Sequence, residues 1–180
     1  MIRSFNGKKP RIHPSAFISE AAYVVGDVEI EEGCSIWPGA VVRGDTGKVV
    51  IGKNTAIEDG CVVHSGIPGK GDTYIGEGCN IGHGAVVHCR KIGDNVMVGI
   101  NATVLHDADI GNFCIIAAGC LVSQGTKVPD NSYVMGIPGR IKGPVPDKLK
   151  FWLERVPLEY VEFGKQYRDA GLGSIISDDN

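Results

Sequence analysis

An aliphatic residue recurs at every sixth position over most of this 180-residue chain, and few folds accept such a period. Ile18, Val24, Ile30, Ile36 and Val42 open the series. It restarts at Ile51, Ile57 and Val63, returns after an insertion at Ile75, Ile81 and Val87, and then drops one residue. Ile92, Val98, Val104, Ile110, Ile116, Val122, Val128 and Val134 follow without a break. The helical period of 3.6 and the strand period of 2 cannot generate a six-residue rhythm held this long. A parallel β-helix can: three short strands and three corners make one triangular coil of about 18 residues, and each aliphatic side chain stacks inward on its equivalent in the next coil.

A second register supports this fold. Four residues after most of the aliphatics stands a small residue, as at Ala22, Cys34, Ala40, Cys61, Cys79, Ala85, Ala102, Ala108, Cys114 and Cys120. Five of the six Cys fall on this position, which assigns them to a narrow interior, because a free thiol packs as a small hydrophobe. No Cys pair has C-x-x-C spacing, and a disulfide framework belongs to small secreted chains. Gly, at 26 residues, is about twice its usual ~7% and suits repeated corners. The expected organisation is a β-helix over residues 1–142, an amphipathic helix over 143–170 and a tail over 171–180. Gly143-Pro144-Val145-Pro146 marks the first boundary. The helix carries Leu149, Trp152, Val156, Tyr160, Phe163 and Tyr167 as its apolar stripe, with a kink expected at Pro157. Packing against the β-helix is the expected use of that stripe; binding a partner is the alternative.

The net charge of −3 and the lack of a basic stripe argue against nucleic acid as a partner. No apolar run is long enough to span a bilayer. The opening MIRSFNGKKP has no apolar core of a signal peptide, so a cytoplasmic protein is expected.

The coil frame sorts the five histidines. His64 follows Val63 and His88 follows Val87, so both occupy one corner on successive coils, ~4.8 Å apart. Two imidazoles at one corner can share a metal, given Zn–N bonds of ~2.0–2.1 Å. His83 follows Ile81 by two residues and lies on the previous face, up to roughly 16 Å of near-extended chain from His88. A second subunit of a trimer could bring its His83 to the pair, giving three-His sites at each interface. The alternative is that all three are polar corner residues. His13 has no partner in the repeat, and His106, one residue out of register with His88, reads as a surface residue, with a proton relay as its alternative role. Arg43 stacks one coil from His64, with Asp45 two residues on, while Glu58 and Asp59 occupy the neighbouring edge. Residues 64–74 interrupt the repeat and form a projecting loop beside the histidines, able to gate access or simply tolerated there.

The succession Arg43-Gly44-Asp45, Ile57-Glu58-Asp59-Gly60, Val63-His64, Ile81-Gly82-His83 and His88 resembles the γ-class carbonic anhydrases and their relatives over roughly residues 10–141 and the C-terminal helix. The resemblance implies a left-handed β-helix, a homotrimer, and Zn (in some members Fe or Co) held by His64, His83 and His88 between subunits. It implies reversible hydration of CO2 to bicarbonate by a metal-activated hydroxide. Arg43, Asp45 and Asp59 match residues tied to assembly and site organisation, and Tyr133 matches a Tyr found near the metal. Glu58 stands where the family commonly has a Gln that orients the reacting solvent; as a carboxylate it accepts hydrogen bonds but donates none. Ala56, Thr46 and Asn101 also depart from the family pattern. Glu58, Arg43, Asp45 and Tyr133 are thus the candidate catalytic residues. An acyl-CoA transferase, a metal-dependent thioesterase on the same scaffold, and a catalytically silent metal-binding relative are the competing readings. The fold alone does not choose among them.

Overall fold

A computed structural model describes residues 1–66 and 71–173 as a parallel β-helix of about seven turns, closed along one face by C-terminal helices. The six-residue rhythm becomes three columns. Val24, Val42, Val63, Val87, Val104 and Val122 stand in register on the first face. Ile30, Ile51, Ile75, Ile92, Ile110 and Val128 line the second. Ile18, Ile36, Ile57, Ile81, Val98, Ile116 and Val134 line the third. All are at most 4% exposed. Burying each Val or Ile contributes about 1.5–3 kcal/mol.

The small-residue register is buried with them, except at Thr126, which is half-buried and donates its hydroxyl to the Ser123 carbonyl at 2.7 Å. All six Cys are free and buried, including Cys89 in the shortened segment. The corners place Asn101 at φ 55°, in the left-handed region that Asn tolerates. Its Oδ1 lies within 2.4 Å of where a Cβ on Gly84 would stand, and Gly84 itself has φ 69°, which strains any residue with a side chain.

Strands Tyr23–Ile30 and Val41–Ile51 round a corner and join the first two faces into one twelve-stranded sheet. The second of these bulges: Gly26 pairs Gly44, but Val28 pairs Val49. The bulge lifts Asp45 and Thr46 out of the ladder toward the histidine corner. On the third face the chain doubles back, and Arg140–Pro144 pairs antiparallel with Ser132–Met135.

The single kinked helix expected after residue 143 is instead two helices, α1 (Phe151–Glu154) and α2 (Val156–Asp169), broken at Arg155 (φ −105°). Pro157 lies in the first turn of α2, where its missing N–H costs nothing, so the break precedes it. The break also changes the buried face. Leu153, Val156, Pro157 and Gly164 point inward, while Trp152 and Phe163 stay substantially exposed. Tyr160 packs edge-on against Trp37, and Tyr167 against Trp37 and Phe17. Gly164 lets α2 approach closely, since a Cβ there would lie 3.3 Å from the Cβ atoms of Phe17 and Ser35. The expected tail begins within the described residues, and its part from 174 onward lies outside them. No helix among the described residues is long and apolar enough to cross a membrane.

Candidate metal centre

Strand pairing sets the first half of the site. Val63 pairs with Val42 on one side and Val87 on the other, and Arg43 pairs with His64. The next residues on the adjacent coils, His64 and His88, therefore stack with ring centroids 4.8 Å apart and planes 2° from parallel. Asp45, carried on the bulge, accepts from His64 Nε2 through Oδ1 at 2.8 Å and from Arg43 through Oδ2. Burial alone would raise the Asp45 pKa, but the bonds from His64 and Arg43 outweigh it and hold this carboxyl below its ordinary range. His88 donates Nε2–H to the Ser65 carbonyl at 2.9 Å. Its pKa is lowered by burial first, and then by the neighbouring His106, His64 and Arg43. Arg43 thus pairs with Asp45, and its Nη2 also lies 3.4 Å from His64 Nδ1.

This donor set fits a divalent metal. In both stacked rings an acceptor engages Nε2, which fixes the tautomer and leaves the Nδ1 lone pair, as outer carboxylates and carbonyls do for metal-binding histidines. Sharing one ion needs nitrogens within about 4.2 Å, twice the Zn–N length, and Arg43, whose Nη2 faces His64 Nδ1, must give way.

His83 lies on a different corner. Its Nε2 is 3.0 Å from Glu58 and its Nδ1 is 3.1 Å from Asp59. Among the described residues, no three His, Cys, Asp or Glu side chains of the chain converge on one metal position. Glu58 is buried and already engaged: Oε1 accepts from Asn80 Nδ2 at 2.7 Å, and Oε2 accepts the backbone N–H of His83 at 2.8 Å. Its carboxylate therefore holds His83. A cleft of about 400 Å³ opens beside this corner, between the third face and the C-terminal helices. Glu58, His83, Tyr133 and Tyr160 line its polar side, and Met97, Ile115 and Trp152 its apolar side. Tyr133 thus sits with His83, and apart from the stacked pair in the strand order.

Sequence reasoning missed two residues. His106 packs edge-on against His88, with centroids 3.9 Å apart, although Leu105 occupies the stacking register. Asn80 grips Glu58 from the adjacent coil; the period of the repeat gives its row but not its bond. Thr46 anchors the loop that follows His64. Its hydroxyl donates to the Gly66 carbonyl at 2.8 Å and contacts Ser65. Loop residues 67–70 lie outside the described residues.

Comparison with known proteins follows the same lines. The bacterial transferase hexapeptide family (six repeats) matches residues 9–44 and 91–124. A probable carbonic anhydrase of Methanocaldococcus jannaschii is 44% identical over 82% of this chain and 92% of its own. The Escherichia coli carnitine operon protein CaiE is 36% identical over 87% of this chain and 79% of its own. The mitochondrial γ-carbonic anhydrase 2 of Arabidopsis thaliana is 33% identical over 88% of this chain, which spans only 58% of that relative's length. Among solved structures, a Bacillus cereus protein described as a putative acetyltransferase superposes with a TM-score of 0.90 at 33% identity, over 94% of this chain and 98% of its own.

Proposed function

The chain belongs to the γ-carbonic anhydrase-like family of hexapeptide-repeat proteins, and from that premise we propose that it is a metalloenzyme catalysing reversible hydration of CO2. The observation that carries the reading is the parallel His64–His88 stack, each ring fixed through Nε2. His64 and His88 of one subunit and His83 of its neighbour in a homotrimer would hold Zn, or Fe or Co. Such a metal supplies activated water at neutral pH. Asp45 and the Ser65 carbonyl keep the two stacked rings in one tautomer, and Arg43 fixes Asp45. The lowered pKa of His88 keeps that imidazole neutral and able to ligate below its ordinary range. Glu58 and Asp59 bracket His83. The apolar wall of the cleft, with Met97, Ile115 and Trp152, suits uncharged CO2. The reaction balances as CO2 and water giving bicarbonate and one proton.

Stopped-flow CO2 hydration by Zn-loaded and anaerobically Fe(II)-loaded protein tests this. A metal-dependent rate that disappears in His64→Ala is expected. A rate that survives in the variant sinks the proposal.

The size of the cleft favours a second reading. About 400 Å³ exceeds what a triatomic substrate occupies, and an acyl thioester would fill it. The Bacillus cereus likeness, whose description names an acetyltransferase, lends this weight. Acetyl-CoA binding by calorimetry, with hydrolysis or transfer in place of hydration, would establish it.

A further inference from the structure

Asn80 stands on the outer row of the third face, in register with Ala56 and Met97, and is 1% exposed. Its Nδ2 donates to Glu58 Oε1, while Glu58 Oε2 serves the backbone N–H and the Nε2 of His83. Residue 58 must therefore accept at both of its terminal atoms. A carboxylate does so directly; a Gln would set its NH2 against the His83 N–H, or toward Asn80, whose amide would then have to turn over to offer Oδ1. The bond also fixes the Asn80 amide, since turning it over would set Oδ1 against the carboxylate. Asn80 Oδ1 is left as a buried acceptor without a partner among the described residues. A buried, unpaired acceptor is costly, so the donor on the other side of the same amide matters to the fold or to the site. From α2, the Tyr160 hydroxyl also hydrogen-bonds to Glu58, so Asn80 shares the clamp with it. The carboxylate on the other nitrogen of His83 has a different character: the Asp59 side chain is 49% exposed, against 4% for Glu58.

We propose that Asn80 is a positioning residue: by clamping Glu58 it holds His83 through Nε2 and presents Nδ1, after the exposed Asp59 swings aside, as the nitrogen offered across a subunit interface. This rests on reading His83 as a metal ligand. Glu58 and Asn80 are then a matched pair, which gives a physical reason for the Glu at position 58.

The test uses the full chain and two readouts. Side-chain ¹⁵N–¹H correlation spectra of the metal-free protein at pH 8.5 report the tautomer of each histidine. Wild type should show His83 protonated at Nε2 alone. Asn80→Leu, close in volume, should give a mixture of tautomers. Zinc titration by calorimetry should show about 10–100-fold weaker binding in Asn80→Leu. The double variant Asn80→Leu/Glu58→Gln should bind no more weakly than Glu58→Gln alone, because Asn80 acts only through Glu58. Asn80→Ser, smaller and still polar, replaces Asn80→Leu if the latter misfolds, with the same expectations. An unchanged His83 tautomer, or additive losses in the double variant, overturns the proposal. Absence of zinc binding by wild type would count against the metal-centre reading, and the tautomer spectra would still decide the role of Asn80.

Discussion

His64 and His88 lie with their rings 2° from parallel and 4.8 Å apart, which is the spacing of neighbouring strands carried out into side chains. The register of Val63 with Val87 sets this relationship, and with it the prospect of shared metal binding.

Zinc should therefore raise the thermal stability of the protein. At a free concentration 100 times Kd the linkage amounts to about 2.7 kcal/mol per site, and a chelator should reverse it. Differential scanning calorimetry of wild type and His64→Ala checks this; an equal rise in Tm in the variant would place zinc elsewhere.

Asp45 should tie stability to pH. Its folded pKa lies below the unfolded value, so its bonds to His64 and Arg43 stabilise the fold above about pH 3.9 and fade as pH falls through the folded value. Asp45→Asn should cost about 1–3 kcal/mol at pH 7 in urea titrations, and the gap should narrow as pH falls below about 3.9. A gap that stays constant across that range would show that Asp45 acts through packing alone.

The interior thiols should be inert. Burial pushes Cys34, Cys61, Cys79 and Cys89 up to about 12, and raises Cys114 and Cys120 as well. A thiol reagent at pH 8 should label none rapidly in the native protein and all six after denaturation. Fast native labelling of any of them would mean that its coil opens.

Gly164→Leu should lift α2 from Phe17 and Ser35, because even a Cβ there would stand 3.3 Å from both. A loss of about 1–3 kcal/mol is expected, with Trp37 fluorescence shifting as Tyr160 and Tyr167 withdraw. Unaltered fluorescence would show that the helix is not held by this contact.

The columns were legible in the sequence because an inward position recurs at one fixed interval, so Ile57, Ile81 and Val98 announce their own stacking. The His64–His88 pair was legible for the same reason: both follow a column residue directly. His106 was not, because its contact with His88 depends on how the side chain leaves the corner and not on its place in the count. The Glu58–Asn80 bond was hidden because a period describes what stacks, while this bond runs obliquely between rows on adjacent coils. The phase of the C-terminal helices depended on the break at Arg155, which an apolar stripe running unbroken from Leu149 to Tyr167 conceals.

The antiparallel return of Arg140–Pro144 along Ser132–Met135 has a consequence beyond the individual chain. A stack of parallel coils ends in a bare strand edge of the same kind that received the previous coil, and such an edge invites another molecule to dock and continue the winding. On the third face the last strand runs the opposite way, so an incoming coil finds a mismatched template there. The hairpin therefore occupies the edge of Ser132–Met135 that a further parallel coil of another molecule would need.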